Sequence, residues 1–144
     1  ASSDFVLIAE GTRMSIQTLT AKTRKIFIVD DDPIMAECLK NAARQLAGVA
    51  PQIFSDAVSA VQALDSDVPM AILLDILLDG PDGFTLLNEL ASYNDTAKIP
   101  VIIVSSLNLN AQDLSHYGVV KVFNKETMLP QQIIATLGEV LGDA

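Results

Sequence analysis

Five consecutive apolar residues at positions 70–74 lead directly to the carboxylate of Asp75, and a loop rich in Gly, Pro and Asp follows. A continuous apolar run of this length, without alternation, predicts a strand that is covered on both faces, as in a parallel sheet. Open α/β sheets place their ligand chemistry at the carboxyl ends of the strands. The position of Asp75 therefore makes it the leading candidate for the functional residue of the chain.

Other short apolar runs recur along the chain and alternate with helical patterns. Strands are predicted at residues 26–29, 51–54, 70–74, 101–104 and 119–124, and helices at about 33–46, 57–64, 84–92, 111–117 and 129–141. In the third helix, Phe84, Leu87 and Leu90 are expected to face the core, and the fourth helical pattern is weak. Five alternations favour an α/β fold with a doubly wound, five-stranded parallel sheet and helices on both faces. The expected strand order is the flavodoxin-like one, 2-1-3-4-5.

Length and charge narrow the classes of function. The chain of 144 residues is long enough for one domain, and its net charge of −9 argues against nucleic acid as a direct partner. Its apolar runs are too short for a membrane helix, and its opening residues lack the basic region of a secretory signal. The single Cys38 is compatible with a reducing cytoplasm, which is the expected location. Residues 1–24 are interpreted as an N-terminal extension, linker or tag, with a possible short strand at 5–8, and residues 25–144 as the domain.

Charged and hydroxyl side chains follow the predicted strands at one edge of the sheet. They are Asp30, Asp31 and Asp32 after the first strand, Asp75 after the third, Ser105 after the fourth and Lys125 after the fifth. Carboxylates about 4 Å apart repel by roughly 4 kcal/mol per pair near a protein surface, so the acids require a counterion, or one of them must be protonated. Mg²⁺ suits oxygen ligands in a wet cleft. A carboxylate beside a divalent cation, an ammonium and a hydroxyl is equipped for phosphoryl transfer onto Asp75.

Four motifs in the same order resemble the receiver domain of two-component response regulators, over residues 25–141. They are Val-Asp-Asp-Asp-Pro at 29–33, Leu74-Asp75 with Gly83 eight residues later, Pro-Val-Ile-Ile-Val-Ser at 100–105, and Lys125 twenty residues after Ser105. Each motif is weak alone, whereas the four in order, each at a strand end, are a strong signal.

The resemblance implies a role for each matched residue. Asp75 would accept the phosphoryl group of a histidine kinase or phosphotransfer protein, with Mg²⁺ as the cofactor. The metal would be bound by Asp31 directly, by Asp30 mainly through water, by Asp75 and by the backbone carbonyl of Leu77. After transfer, Ser105 would bond the phosphoryl oxygen and shift its loop, and Lys125 would pair with the phosphoryl group. Signalling would proceed by protein contact through the face of the fourth helix, fifth strand and fifth helix. Catalysis would be limited to the domain's own phosphorylation and dephosphorylation.

Several positions depart from the family pattern. Val122 stands where the family has its aromatic switch residue, while Phe123 lies on the opposite face of the strand, and Glu126 replaces the usual Pro after the lysine. Leu77 and Leu107 stand where many relatives have polar side chains near the path of the attacking water, which predicts slow self-dephosphorylation. The short segment between Ser105 and Lys125 predicts a reduced or irregular fourth helix.

Alternatives to this interpretation differ in class. A degenerate receiver would act as an interaction module without phosphorylation, and a receiver excised from a hybrid histidine kinase would pass the phosphoryl group on. A hydrolase of the haloacid dehalogenase type would need a second Asp two residues after Asp75, where the sequence has Leu77. Lys121 competes with Lys125 for the pairing role, but it falls near the start of the fifth strand.

Overall fold

A parallel sheet in the order β2-β1-β3-β4-β5 forms the centre of the protein. Its strands are β1 (Arg24–Val29), β2 (Val49–Phe54), β3 (Ala71–Leu74), β4 (Val101–Ser105) and β5 (Val119–Asn124). The computed structural model describes residues 23–78 and 82–143, so the extension at 1–22 and its possible strand at 5–8 lie outside the described residues. The predicted α/β class, strand order and parallel pairing are confirmed.

Helices cover both faces of the sheet. They are α1 (Pro33–Ala43), α2 (Ala57–Leu64), α3 (Gly83–Ala91), a 3₁₀ helix here called η1 (Ala111–Tyr117), and α4 (Pro130–Val140). One core, between the sheet and α2, α3 and η1, contains Phe27, Leu74 and Ile103. The second core, between the sheet and α1 and α4, contains Ile28, Leu73 and Val104. Adjacent strand residues thus enter opposite cores, which explains why the central strands are apolar without alternation.

Aspartates fix the start of the first three helices. The Asp32 side chain accepts from the backbone N–H of Ile34, with Pro33 in the first turn of α1; the Asp-Pro pair at 32–33 is the sequence signal for such a helix start. Asp56 caps α2 and Asp82 caps α3 in the same way. With the first two caps, no more than three residues separate β1 from α1 and β2 from α2, whereas eight residues, 75–82, separate β3 from α3.

The structure corrects one helical prediction and confirms another. Phe84 was expected to face the core but is 38% exposed, because α3 begins at Gly83 and turns Leu86, Leu87 and Leu90 inward. The fourth helix is indeed reduced: η1 is a 3₁₀ helix that ends at Gly118 in the left-handed conformation, with φ of 83°.

In the part of the chain that the structure describes, no helix combines the length and the apolar character that crossing a membrane requires.

Candidate functional site

Asp75 lies immediately after β3, in the middle of the carboxyl edge of the sheet. Its backbone N–H donates to the carbonyl of Val29 at 2.9 Å, which continues the pairing of β3 with β1. Its side chain is only 4% exposed, and Oδ1 accepts a hydrogen bond from the backbone N–H of Leu77 at 3.1 Å. The carboxylate is thus held in a fixed orientation in the cleft between β1 and β4.

The three acids after β1 have different environments. Asp30 is 2% exposed, and its Oδ1 accepts the backbone N–H of Asp32 at 2.9 Å. Asp31 is half-buried, whereas Asp32 is exposed and serves as the cap of α1. The structure therefore brings Asp30 and Asp31 to the cleft and assigns Asp32 to the helix.

Lys125 joins the two buried acids across the edge of the sheet. Its Nζ lies 2.9 Å from Oδ2 of Asp75, and 3.2 Å and 3.1 Å from Oδ1 and Oδ2 of Asp30. Burial acts to lower the pKa of Lys125, but the hydrogen bonds to Asp75 and Asp30 outweigh it, so the pKa lies above its usual value. The lysine is therefore a charged partner at neutral pH.

The buried position of Asp30 is electrostatically unfavourable. Desolvation raises the pKa of Asp30 above its usual value, although the N–H of Asp32 and the ammonium of Lys125 oppose that rise. Its Oδ2 is buried and has no hydrogen-bond donor among the described residues, although the ammonium of Lys125 lies close to it. One lysine thus faces two buried carboxylates, and an acceptor oxygen is left to interact with a further positive group.

This arrangement fits a hard divalent cation. One carboxylate oxygen from each of Asp30, Asp31 and Asp75 lies within 4.8 Å of the others. Mg²⁺ takes oxygen ligands at about 2.0–2.1 Å and keeps several waters, so two or three carboxylates in an open cleft suit it. Oδ2 of Asp30 accepts no hydrogen bond among the described residues, and the single ammonium of Lys125 is shared by two buried carboxylates, which favours a further cation over a purely structural cluster.

Ser105 ends β4 next to Lys125. Its carbonyl accepts the backbone N–H of Lys125 at 2.9 Å, and its hydroxyl is fully buried. The Oγ accepts the backbone N–H of Leu107 at 3.3 Å, a long bond that ties the hydroxyl to its own loop. The predicted set of Asp30, Asp31, Asp75, Ser105 and Lys125 therefore occupies adjacent strand ends at one edge.

The residues around Lys125 lie as the sequence predicts. Val122 packs against the core on the α2–α3 side, and Phe123 is buried in the opposite core. Lys121 is exposed, with Nζ 5.7 Å from the centroid of the Phe123 ring. It therefore lies over the face of the sheet, and Lys125 is the lysine that contacts the acids.

A polar contact between two loops was missed in the sequence. The Asn124 side chain donates to Oδ1 of Asn108 at 3.0 Å, which links the end of β5 to the loop after Ser105. The same Asn124 side chain accepts the backbone N–H of Glu126 at 2.8 Å. The signal that could have indicated this contact was an Asn at the last strand position, directly before Lys125.

Comparison with known proteins gives a consistent result. The family model of the response regulator receiver domain matches residues 26–137. The transcriptional regulatory protein BaeR of Escherichia coli O6:H1 is 33% identical over 58% of this chain and 33% of its own. A gliding motility regulatory protein of Myxococcus xanthus is 34% identical over 70% of this chain and 13% of its own. The chain thus spans about a third or less of the length of these relatives.

Solved structures share the fold. The phosphorylated cyanobacterial phytochrome response regulator RcpA superposes with a TM-score of 0.73 at 24% identity, over 85% of this chain and 97% of its own. A second structure is the receiver domain of the sensor histidine kinase PA1611 of Pseudomonas aeruginosa, which holds a magnesium ion in its active-site cleft. It superposes with a TM-score of 0.71 at 20% identity, over 84% of this chain and 99% of its own. At these identities the likeness concerns the architecture.

Proposed function

This chain belongs to the response regulator receiver domain family, and from that premise we propose that Asp75 is its phosphoacceptor. The observation that carries the proposal is the contact of Lys125 with both Asp75 and Asp30 at the carboxyl edge of the sheet. Asp75 is the carboxylate at the centre of that edge, held by the N–H of Leu77. The match of the family model over 26–137 supports a receiver domain at about 25–144, and β1 extends that domain by one residue, to Arg24, so the proposed separate segment precedes Arg24.

The proposed reaction transfers a phosphoryl group from the phosphohistidine of a histidine kinase or phosphotransfer protein. One oxygen of Asp75 attacks phosphorus in line, an O–P bond forms, the N–P bond breaks, and the imidazole retains the electron pair and takes a proton. The Leu77 N–H fixes Oδ1, so Oδ2 is the oxygen favoured for attack. Lys125, already 2.9 Å from that oxygen, pairs with the phosphoryl group after transfer.

We propose Mg²⁺ as the cofactor, held by Asp30, Asp31 and Asp75 and by the backbone carbonyl of Leu77. Bound there, the ion would neutralise charge on the transferring phosphoryl oxygens. The buried Oδ2 of Asp30 and the proximity of the three carboxylates support this ligand set. The magnesium ion of the PA1611 receiver supports the choice of metal.

Ser105 is proposed to report the modification. Its hydroxyl would exchange the long bond from the N–H of Leu107 for a bond to a phosphoryl oxygen, and the loop after β4 would shift. The output face is proposed to be that of η1, β5 and α4, the fourth helix, fifth strand and fifth helix of the alternation. Val120 on β5 is half-exposed there and offers apolar surface to a protein partner. A cytoplasmic location is proposed on the basis of the free Cys38.

The test is the intact mass of the full chain after incubation with acetyl phosphate and Mg²⁺. We expect the mass of one phosphoryl group to be gained by the parent chain and by Asp113→Asn, which changes an exposed acid on η1. Asp75→Ala should gain none, and omission of Mg²⁺ should abolish the gain in every chain. A gain by Asp75→Ala equal to that of the parent would contradict the assignment of the acceptor.

One feature supports a second candidate function. Val122 in place of an aromatic residue leaves the usual coupling to Ser105 without its side chain. A receiver that binds its partner regardless of phosphorylation would show equal affinity for the phosphorylated and unphosphorylated forms. Equal affinities, measured with a chain whose phosphorylation is verified by mass, would favour that interaction module.

A further inference from the structure

A groove between α2 and α3 lies on the face of the sheet away from α1 and α4. Its first part, of about 270 Å³, is lined by Val61 and Leu64, by the ring of Tyr93 and by the carboxylates of Asp65, Glu89 and Asp95. Its second part, of about 230 Å³, is mainly apolar, with Ala57, Val58 and Val61 in its wall. Val61 and Glu89 line both parts, so the two form one continuous surface, here called the helix groove.

The helix groove has a chemical gradient along its length. The carboxylates lie at the carboxyl ends of α2 and α3, and the apolar part lies toward the start of α2. Among the described residues that line it, none is a lysine or arginine. Tyr93 is 56% exposed and Val58 is 48% exposed, so both ends present apolar surface to solvent. A complementary ligand carries a cation for the acidic end, with apolar side chains about one helix length away.

The chain that leads into β1 arrives at the acidic end. The carbonyl of Lys25 accepts the backbone N–H of Met70 at 2.8 Å, and the Lys25 ammonium pairs with Asp67. Asp67 lies two residues after Asp65, which lines the groove. Thr23, the first described residue, is therefore two residues from a lysine that pairs with Asp67, next to the groove residue Asp65.

The sequence before Thr23 carries the complementary chemistry in the matching order. Going backward from Thr23, residues 11–22 contain two basic residues, Arg13 and Lys22, and no acid, then comes the single acid of the segment, Glu10, and residues 5–8 are Phe-Val-Leu-Ile. Ten residues from Arg13 to Thr23 span up to about 33 Å, and five from Ile8 to Arg13 up to about 17 Å. The eight residues of α2 extend about 12 Å, so this spacing covers the groove.

We propose that residues 5–22 of this chain dock in the helix groove. Arg13 meets the carboxylates of Glu89 and Asp95 beside the ring of Tyr93, and the apolar residues 5–8 cover Val58 and Val61. The order of charge and apolarity along segment and groove, together with the entry point at Lys25, selects this occupant over a second copy of the chain.

The test is hydrogen–deuterium exchange of the full chain, with the amides of residues 5–16 as the readout. We expect these amides to exchange at least about tenfold more slowly than free-peptide rates, because docking shields them. Arg13→Glu and Glu89→Arg should each lower that protection by about fivefold, and the double variant should restore it. Glu139→Arg, the same charge change on the exposed surface of α4, should leave protection unchanged.

The apolar part of the proposal has its own variant. Val58→Asp should abolish protection of residues 5–8, whereas Val120→Asp, at a similarly exposed valine on β5, should not. Free-peptide exchange rates in the parent chain would overturn the proposal, as would a double charge variant that fails to recover protection. Protection that rises over an about hundredfold range of protein concentration would also overturn it, because the occupant would then be the segment of a second copy.

Discussion

The residue with the clearest energetic conflict is Asp30. Its carboxylate is buried, one of its oxygens has no hydrogen-bond donor among the described residues, and desolvation raises its pKa. A raised folded-state pKa means that this acid contributes stability below its unfolded pKa, about 4, and loses that contribution as the pH rises through the folded pKa. At neutral pH the charged Asp30 therefore destabilises the metal-free fold.

We predict that Asp30→Asn raises the free energy of unfolding at pH 7 by about 1 kcal/mol in the presence of a chelator. The amide oxygen of Asn can still accept the N–H of Asp32, and Lys125 keeps Asp75 as its partner. Urea denaturation followed by circular dichroism measures the change. The gain should shrink on acidification, because the parent then protonates Asp30. A gain that does not vary with pH, or a loss of stability, would contradict this account of the site.

Leu77 and Leu107 bear on the lifetime of the phosphorylated form. Both are partly exposed and apolar beside the acceptor loop, so neither can orient a water toward a phosphoryl group on Asp75. We predict a phosphorylated form that persists for minutes or longer, and Leu77→Asn should speed its decay about fivefold, the effect of one hydrogen bond to the attacking water. Phosphoprotein mass as a function of time gives the rate. Decay of the parent within seconds would show that the prediction is wrong.

The sequence located the acids at the site but could not rank them. Asp30, Asp31 and Asp32 follow the same strand; the Pro after Asp32 predicts its role as the cap of α1, but only the backbone path shows that Asp30 is buried more deeply than Asp31. The contact between Asn108 and Asn124 could not be predicted from the sequence for a similar reason. It joins the loop after β4 to the end of β5, and the distance between them depends on the register of the two strands.

Among the secondary-structure elements, the start of α3 is the most tightly constrained. A Cβ on Gly83 would lie 2.6 Å from the Cα of Ile76 and 2.7 Å from the carbonyl oxygen of Asp75. Helix α3 can thus approach the loop after β3 only because this position lacks a side chain. The contact links the packing of α3 to the position of the acceptor.

We predict that Gly83→Ala destabilises the fold by about 1–3 kcal/mol, the usual cost of overpacking, and also slows phosphorylation of Asp75. The matched control is Gly138→Ala in α4, where a Cβ would be 3.9 Å from its nearest neighbours. That change should stabilise by up to about 1 kcal/mol, because Ala is the better helix former. Thermal unfolding of the two variants gives the comparison. Equal effects would mean that the close contact at Gly83 relaxes without cost.

Elements were predictable to different degrees from the sequence. β3 and β4 were located to within one residue because strands buried on both faces must be continuously apolar. In α3, Leu87 and Leu90 are buried as predicted, but the prediction for Phe84 was wrong, because the buried side of the helix is centred on Gly83, Leu86, Leu87 and Leu90. Helical periodicity identifies a stripe, but the rotation of that stripe depends on where the capping residue starts the helix.

At the scale of the whole molecule, the net charge of −9 and the acidic cleft act together. Any salt screens the repulsion among the acidic side chains of the whole chain. A cation bound at Asp30, Asp31 and Asp75 instead stabilises the folded state by mass action. The two effects separate when MgCl₂ is compared with NaCl at equal ionic strength. We predict a higher unfolding midpoint in MgCl₂, with an excess stability of about 2.7 kcal/mol at a free Mg²⁺ concentration of about 100 times its dissociation constant.

Two variants with the same change in net charge distinguish the cleft from the rest of the surface. Asp31→Asn removes a carboxylate of the cleft, and Asp113→Asn removes an exposed one on η1. Each should respond to NaCl much as the parent does, since the overall charge falls equally. The excess stability in MgCl₂ over NaCl should be lost in Asp31→Asn and retained in Asp113→Asn. An excess of the same size in both variants would mean that Mg²⁺ acts on the whole acidic surface, and the parallel sheet would then gather these carboxylates without forming a metal site.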